Sequence, residues 1–347
     1  MQDRLLTYDE VLEETKENKR FLLLGNGFSM AYNKDRFSFT SLFQSAVDKG
    51  LIDSKSPMYE IFKDFDTTDF EEIIKNLEIS IKVFNAYNIL KDEDASMIYT
   101  DAMKLKEHLV DIITNNHPEK ITDILEEEFK YSVDFVKNYD SVYTLNYDLL
   151  LYWTTMKLED YKNSKIVKNI KLEIGDGFSD LTNNSTDYVV YTNNGKNSRY
   201  QKIFYLHGAL HIFDNKYEII KNTYSRTKKT LKEQTLENLK KEIYPIFVSE
   251  GTSSQKKSKI IHNAYLNHCY RSLKALGGQN SLIIFGTMLK TNDEHIQDAI
   301  MESNIKKIYI GIGSTDKITE LDSFVEEAKK RYKKIYFYDY KTVQVWR

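Results

Sequence analysis

The strongest constraint on the fold is a repeated pattern in which a short apolar run ends in glycine or polar residues and a helical stretch follows. The run Phe21-Leu22-Leu23-Leu24, for example, ends in Gly25-Asn26-Gly27 before a predicted helix. Further strands are predicted at Ser141–Thr144, Tyr188–Tyr191 (in a hairpin), Ile203–Leu206, Ile246–Val248, Ser281–Phe285, Ile308–Ile312 and Ile335–Tyr338. Strands that are buried on both faces are apolar throughout, and parallel neighbours need a crossover helix between them. The pattern therefore predicts an α/β fold with a doubly wound, Rossmann-like parallel sheet.

Residues 40–135 show helical periodicity without a strand pattern. Apolar residues between Phe70 and Ile81 recur at positions i, i+3, i+4 and i+7, and acidic residues open the stretch. We therefore predict a large helical insertion at 40–135, carried by a Rossmann-like domain that comprises residues 1–39 and 136–347. The polar stretches 161–201 and 213–232 are predicted to be the least structured.

Composition excludes several classes of protein. Lys and Arg total 49 against 52 Asp and Glu, a net charge of −3, which argues against a dedicated nucleic-acid binder. The N-terminus lacks an apolar signal region, and no apolar run approaches the ~18–20 residues that span a bilayer, so we expect a cytoplasmic protein without a membrane role. The single cysteine, Cys269, cannot form an internal disulfide or a four-cysteine zinc site, and its predicted helical position beside His268 favours a buried, inert thiol.

Candidate site residues follow from a rule about open parallel sheets, which bind ligands beyond the carboxyl ends of their strands. The first strand-end cluster is Gly25-Asn26-Gly27-Phe28-Ser29. Two glycines let the backbone approach a pyrophosphate, and the helix that follows offers free amides. The alternative is a tight strand-to-helix turn without a ligand.

The second cluster is Thr144-Leu145-Asn146-Tyr147-Asp148. The amide of Asn146 both donates and accepts hydrogen bonds, so it suits a ribose hydroxyl or an attacking water. Asp148 is a second polar candidate for the same ligand. It can also cap the helix that begins near Leu149, and we favour that role.

The third cluster is His207-Gly208. A histidine at a strand end suits general-base work, because its ordinary pKa lies near neutral pH, and the glycine leaves room for a ligand. The alternatives are a structural histidine bonded to a backbone carbonyl and a metal pair with His211. No carboxylate-rich helix surrounds the two histidines, so we expect no metal.

The fourth cluster is Gly286-Thr287-Met288-Leu289, which follows the most apolar strand. A glycine and a hydroxyl at this position commonly meet a phosphate or ribose. Asn292 or Asp293, a little further on, is predicted to cap the next helix. Gly311, at the end of another strand, is placed to line the adenine end of a dinucleotide.

Taken in order, the four clusters resemble the NAD-site motifs of sirtuins, which are a glycine-rich phosphate loop, a TQNxD segment, an HG dipeptide and a GTSL ribose loop. The chain looks still more like an uncharacterised bacterial sirtuin-like family whose members share GNGFS, NYDLLLYW, LHGAL and a VSEGTS-type segment. Here the last motif is Val248-Ser249-Glu250-Gly251-Thr252-Ser253, and the resemblance spans roughly residues 20–300.

Differences from the sirtuin motifs limit which activity the resemblance implies. Protein-deacylating sirtuins hold a zinc module with four cysteines, which one cysteine cannot supply, and Leu145 and Met288 replace a glutamine and a serine of the motifs. Relatives in bacterial antiphage systems imply an NADase that hydrolyses NAD to ADP-ribose and nicotinamide, with Asn146 and His207 as catalytic residues. The resemblance also implies assembly with further copies or a defence-system partner. Two alternatives stay open, a non-catalytic module that senses NAD or ADP-ribose and an ADP-ribosyl transferase or cyclase.

Overall fold

The computed structural model describes residues 4–37, 42–68, 70–87, 89, 92–115, 117–179, 188–192, 200–223, 229–248 and 252–347. Its strands, in chain order, are β1 (Arg20–Leu24), β2 (Ser141–Thr144), β3 (Phe178–Ser179), β4 (Tyr188–Tyr191), β5 (Ile203–Tyr205), β6 (Gly208–Asp214), β7 (Ile219–Asn222), β8 (Tyr244–Phe247), β9 (Ser281–Phe285), β10 (Lys307–Ile312) and β11 (Lys334–Asp339).

The central sheet confirms the doubly wound α/β prediction. Its six strands are all parallel and lie in the order β11-β10-β9-β1-β2-β5. From β1 the chain adds β2 and β5 on one side of β1, and it then adds β9, β10 and β11 on the other side. The direction of strand addition reverses between β1 and β9, which is therefore the topological switch point. Leu24 lies level with both Thr144 and Phe285, so β1, β2 and β9 reach the same rim of the sheet.

Helices cover this sheet and form most of residues 42–136. They are α1 (Tyr8–Glu14), α2 (Gly27–Tyr32), α3 (Lys34–Phe37), α4 (Leu42–Asp48), α5 (Pro57–Asp64), α6 (Phe70–Ala86), α7 (Asp92–Asn115), α8 (Glu126–Val136), α9 (Leu150–Asn163), α10 (Leu231–Lys240), α11 (Ser253–His262), α12 (Ala264–Lys274), α13 (Glu294–Glu302) and α14 (Asp322–Lys330). The last of the 42–136 helices, α8, packs on the sheet, with Phe135 against Phe285. The boundaries of a separate insertion at 40–135 stay a prediction. No helix among the described residues is long and apolar enough to cross a membrane.

A second, antiparallel sheet with the order β3-β4-β7-β6-β8 departs from the sequence prediction. Two assignments were wrong: Ile246–Val248 was placed in the parallel sheet but β8 pairs with β6, and the predicted loop 213–232 contains β7. The reason lies between Tyr205, where β5 ends, and Gly208, where β6 begins: only Leu206 and His207 separate the two strands, without a helix between them. Residues 180–187, 193–199 and 224–228 of the predicted loops lie outside the described residues.

Gly208 makes this abrupt exchange between sheets possible. Its φ angle is +74°, in the left-handed region that side chains disfavour. A Cβ atom at this position would lie 2.0 Å from the carbonyl oxygen of Ile246 in β8. Glycine is therefore required by the backbone and by packing, which corrects the expectation that it leaves room for a ligand.

We predict that Gly208→Ala lowers the thermal-unfolding midpoint more than Gly50→Ala does. Gly50 also has a positive φ, +67°, but a Cβ there would meet nothing within 4 Å. The control therefore carries only the backbone strain of about 1–2 kcal/mol, whereas Gly208→Ala adds a clash with backbone. Calorimetry on both variants provides the measurement, and equal shifts would contradict the assigned contact.

Candidate functional site

A cleft of about 950 Å³ opens at the carboxyl ends of β1, β2 and β9. This volume lies at the upper end of the range for small-molecule and cofactor sites. Nine of the residues predicted from sequence line it, namely Gly25, Asn26, Gly27, Asn146, Asp148, His207, Gly286, Thr287 and Gly311. A smaller cavity of about 440 Å³ lies at the opposite ends of β1 and β2, near Lys19 and Asp140, where parallel sheets do not bind ligands.

The glycine loop after β1 packs against the loop after β9. The amide of Gly25 donates to Phe285 O and that of Gly27 donates to Gly286 O, each at 2.8 Å. A Cβ on Gly25 would lie 2.4 Å from Cβ of Thr287, and one on Gly27 would lie 2.4 Å from Cα of Gly286. These glycines allow the two loops to pack closely. The amides of Gly25 and Gly27 donate to backbone carbonyls of the other loop, so they do not point to a pyrophosphate.

Phe28 belongs to the core and not to the cleft wall. Its side chain is fully buried, and its ring lies 5.2 Å from that of Trp346. The indole Nε1 of Trp346 donates to Phe28 O at 2.9 Å, which ties residues near the end of the chain to α2. The prediction that Phe28 contacts a ligand is therefore wrong for its side chain, although Trp346 does line the cleft.

Ser29 joins Asn146 and Asp148 in a buried hydrogen-bond network. Asn146 Nδ2 donates to Ser29 Oγ at 2.9 Å, and Ser29 Oγ donates to Asp148 Oδ2. Thr144 Oγ1 accepts the backbone amide of Asn146 at 3.0 Å. Ser29 and Thr144 are fully buried behind the cleft wall, so they act as supports for Asn146 and do not reach a ligand. Asn146 is left with Oδ1 and one N–H to offer to the cleft.

Asp148 combines the two roles considered for it. Its Oδ1 accepts the amide of Leu150 at the start of α9, at 2.9 Å, which matches the expected capping contact, and the residue also lines the cleft. Burial raises the pKa of Asp148 to about 6, while the hydrogen bonds from Ser29 and Leu150 act in the opposite direction. A buried carboxylate with this pKa changes charge within the physiological range.

His207 is hydrogen-bonded at both ring nitrogens. One nitrogen contacts the backbone of Leu145, and Nε2 lies 3.0 Å from Nε2 of His295. His295 Nδ1 in turn lies 3.1 Å from Ser253 Oγ. The Leu145 contact raises the pKa of His207, as a backbone carbonyl that accepts from an imidazole N–H does, so we assign the proton of His207 to Nδ1 and let its Nε2 accept from His295. His207 therefore combines the predicted cleft position with the structural carbonyl bond that was the alternative.

The acid–base properties of His207 differ from the sequence prediction. Burial, assisted by the charge of Lys256, lowers the pKa of His207 to about 3. Burial and the neighbouring His207 lower the pKa of His295 to about 3 as well. Both imidazoles are thus neutral at pH 7. The near-neutral pKa expected for a general base was wrong, because the sequence does not show how deeply the strand end is covered.

Asp293 pairs with Lys256 and does not cap α13. The ammonium Nζ of Lys256 lies 3.1 Å from Asp293 Oδ1, and both side chains are largely buried. No side-chain capping bond forms at Asp293, which corrects that expectation. Sequence reasoning assigned no role to Lys256 or His295, although each stands close to a recognised motif: Lys256 follows the VSEGTS segment, and His295 follows the strand-end cluster at Gly286.

Other sequence candidates lie apart from the cleft. Cys269 is buried in α12, and burial raises the pKa of its thiol to about 12, which agrees with an inert residue. His211 lies in β6 with its ring stacked on Tyr152 and is not part of the His207 cluster. Within the VSEGTS-type segment, residues 249–251 lie outside the described residues.

Comparison with known proteins adds a family but no activity. A family model described as "Domain of unknown function (DUF4917)" matches residues 22–346, which is nearly the whole chain. No curated protein matches the chain.

We predict that Asp148→Asn stabilises the fold at neutral pH and not in acid. Folding raises the pKa of Asp148 from 3.8 to about 6, so stability is lost as the pH rises through that interval and the charge must be buried. Asparagine keeps the oxygen that accepts Leu150 N–H but carries no charge. We expect a gain of about 1–3 kcal/mol near pH 7.5 that largely disappears near pH 4.5.

Thermal-unfolding midpoints of wild type and variant at the two pH values test this expectation. Asp134→Asn, at an exposed carboxylate of α8, serves as the control, and its shift should be the same at both pH values. If Asp148→Asn instead lowers the unfolding midpoint by the same amount at both pH values, the hydrogen bonds of the carboxylate offset the cost of burying its charge.

Proposed function

The chain belongs to the DUF4917 family, and we propose that it binds NAD and hydrolyses the bond between nicotinamide and ribose. One observation carries the proposal: strand-end loops that are far apart in sequence converge on a single cleft, with Asn146 and His207 both in its wall. The sirtuin resemblance supplies the identity of the dinucleotide. The geometry supports it, because the cleft lies at the switch point where doubly wound sheets take nucleotides.

The charge of the cleft supports a ligand with several phosphates. Although the chain has a net charge of −3, the cleft is lined by more cations than acids. Among the lining residues that the structure describes, only Asp148 and Asp293 are acidic, and the cationic residues are Lys34, Arg36, Lys256, Lys290, Lys341 and Arg347. Cations gathered in a concave, low-dielectric site attract anions more strongly than the same charges spread over a surface. A pyrophosphate bound by these side chains does not need the engaged amides of the glycine loop.

Asn146 is the better defined of the two reactive positions. Its bond to Ser29 fixes the side-chain amide, so Oδ1 can accept a hydrogen bond from water or from a ribose hydroxyl. Holding that group in one orientation lowers the entropic part of the barrier. Ser29 is a positioning residue in this scheme, and Asp148 holds Ser29.

His207 would receive the proton that hydrolysis releases. Water adds to C1′ of the ribose as the C–N bond breaks, nicotinamide leaves with the bonding electrons, and the water must lose one proton. Neutral His207 has a lone pair on Nε2, which faces His295 in the structure. Substrate binding must therefore open the His207–His295 bond before His207 can accept the proton, which it then passes to solvent.

A sensing module is the second candidate function. It is favoured by the same hydrogen bond, because in this conformation neither nitrogen of His207 is free to act as a base. Such a protein binds NAD or ADP-ribose in the cleft and signals without turnover. Transfer of ADP-ribose to another acceptor and cyclisation are further outcomes of the same first step, and they differ only in the product.

The biological setting is proposed from the resemblance. NAD depletion in an infected bacterium halts growth, which is the role implied by sirtuin-like proteins of antiphage systems, and it would take place in the cytoplasm. Assembly with further copies or a partner is consistent with several exposed apolar side chains on or near α6 and α7, including Ile79, Val83, Tyr87, Met97 and Tyr99.

We expect wild-type protein to release nicotinamide and ADP-ribose from NAD, and Asn146→Ala and His207→Ala to lose at least about 100-fold in kcat. His262→Gln, at an exposed histidine of α11, is the matched control and should retain wild-type activity. Chromatography of the products follows the reaction. Equal rates in all four proteins would refute the site, tight NAD binding without release would favour the sensor, and a cyclic or transferred product would identify the other enzyme classes.

A second expectation concerns the ligand's charge. The double variant Lys290→Gln/Lys341→Gln should raise the Kd for NAD by about tenfold, and the difference from wild type should shrink with added salt, because screening weakens the attraction. Lys329→Gln/Lys330→Gln, on the exposed face of α14, is the control. Titration calorimetry measures both. An unchanged Kd in the first variant would show that the pyrophosphate does not lie near these lysines.

A further inference from the structure

The imidazoles of His207 and His295 are oriented so that they could bind a shared ligand as well as each other. The two Nε2 atoms converge to 3.0 Å. The Nδ1 atom of His207 is held by the backbone of Leu145 and that of His295 by Ser253 Oγ. An imidazole that is oriented through one nitrogen while the other faces a shared point is the arrangement typical of metal-ligating histidines.

A third oxygen donor stands beside the two nitrogens. One carboxylate oxygen of Asp293 lies, together with a nitrogen from each histidine, in a group whose members are all within 4.8 Å of one another. Asp293 and His207 line the cleft, whereas His295 is buried behind them. A cation at this point would have protein ligands on one side and the cleft on the other, which leaves a coordination position for water.

We propose that His207, His295 and Asp293 form a binding site for a divalent cation of the zinc class. Two imidazoles and one carboxylate are a ligand set that Zn²⁺ and Co²⁺ accept, and they are too nitrogen-rich for Ca²⁺ or Mg²⁺. Metal–nitrogen bonds of about 2.0–2.1 Å with a tetrahedral angle place the nitrogens about 3.3 Å apart, so the pair needs to open by only a few tenths of an ångström.

Binding requires one proton to move within His295. In the hydrogen-bonded pair His295 carries its proton on Nε2, which points at His207. With a cation bound, that proton lies on Nδ1 and is donated to Ser253 Oγ, which already accepts the backbone amide of His295 at 2.7 Å. His207 keeps its proton on Nδ1 in both states, so no net charge is released by the imidazoles.

Lys256 is the group that competes with the cation. Its ammonium lies 3.1 Å from Asp293 Oδ1, so it neutralises the carboxylate and places a positive charge beside the site. A divalent cation must share Asp293 with Lys256 or displace it. Removal of this charge should therefore strengthen metal binding, whereas a purely structural cluster would show no metal binding with or without Lys256.

The metal site does not rest on the proposed NAD reaction, but the two interact through His207. A cation on Nε2 occupies the lone pair that the hydrolysis needs. Zn²⁺ should therefore inhibit nicotinamide release, and a chelator should restore it. If the protein does not hydrolyse NAD, the direct binding measurement is unaffected. If no metal binds, the activity measurement still stands.

The test is a titration of chelator-treated, full-length protein with Co²⁺, followed by its visible ligand-field absorption and competed by Zn²⁺. We expect one Co²⁺ per chain in wild type and in His262→Gln, affinity reduced by at least about 100-fold in His295→Gln, and about tenfold tighter binding in Lys256→Gln. Circular dichroism verifies that each variant is folded.

Two outcomes would overturn the proposal. Absence of a one-to-one Co²⁺ complex in both wild type and Lys256→Gln would show that the cluster is only hydrogen-bonded. Unchanged affinity in folded His295→Gln would show that Co²⁺ binds elsewhere. Because Lys256→Gln is expected to gain affinity, the proposal stays testable even if the buried His295 variant does not fold.

Discussion

The close approach of two loops at the switch point is the contact on which the cleft depends. Gly25 and Gly27 on one side and Gly286 on the other bring backbone against backbone, and their amides and carbonyls are paired across the gap. Any side chain in this contact would separate β1 from the end of β9. The cleft opens directly above the pair, so its shape follows from the absence of three Cβ atoms. Glycine is scarce in the chain, with 13 in 347 residues, and its clustering here reflects packing as much as ligand binding.

Around that contact the protein buries several polar side chains that hydrogen bonds hold in place. Ser29 links Asn146 to Asp148 on one wall, and His295 holds His207 on the other. Burying a polar side chain is unfavourable unless its hydrogen bonds are made. A cleft wall built from these networks is therefore less stabilising than a wall of apolar side chains would be. The raised pKa of Asp148 is one measure of that cost. Groups held in this way are preorganised, which is what a reactive site or a metal site requires.

The fold was largely predictable, because strand runs such as Phe21–Leu24 and Ser281–Phe285 carry a signal that is local and strong. The second sheet was not, since β6 follows β5 after only two residues and no helix separates the two strands. For the site, sequence order identified the loops but misjudged several roles. Phe28 packs on Trp346, which is 318 positions away in the chain, and Asp293 pairs with Lys256 instead of capping its own helix.

The sequence by itself determined the parallel sheet, the strand-end loops and the types of side chain that these loops carry, because hydrophobic periodicity and turn residues act over a few neighbouring positions. Only the tertiary structure decided which of those side chains meet. Burial depth, the tautomer of His207 and the convergence of His207 with His295 depend on contacts between segments tens of residues apart. The charges and hydrogen bonds at the cleft arise because these distant segments lie close together in the fold, and a local sequence pattern cannot predict which segments meet.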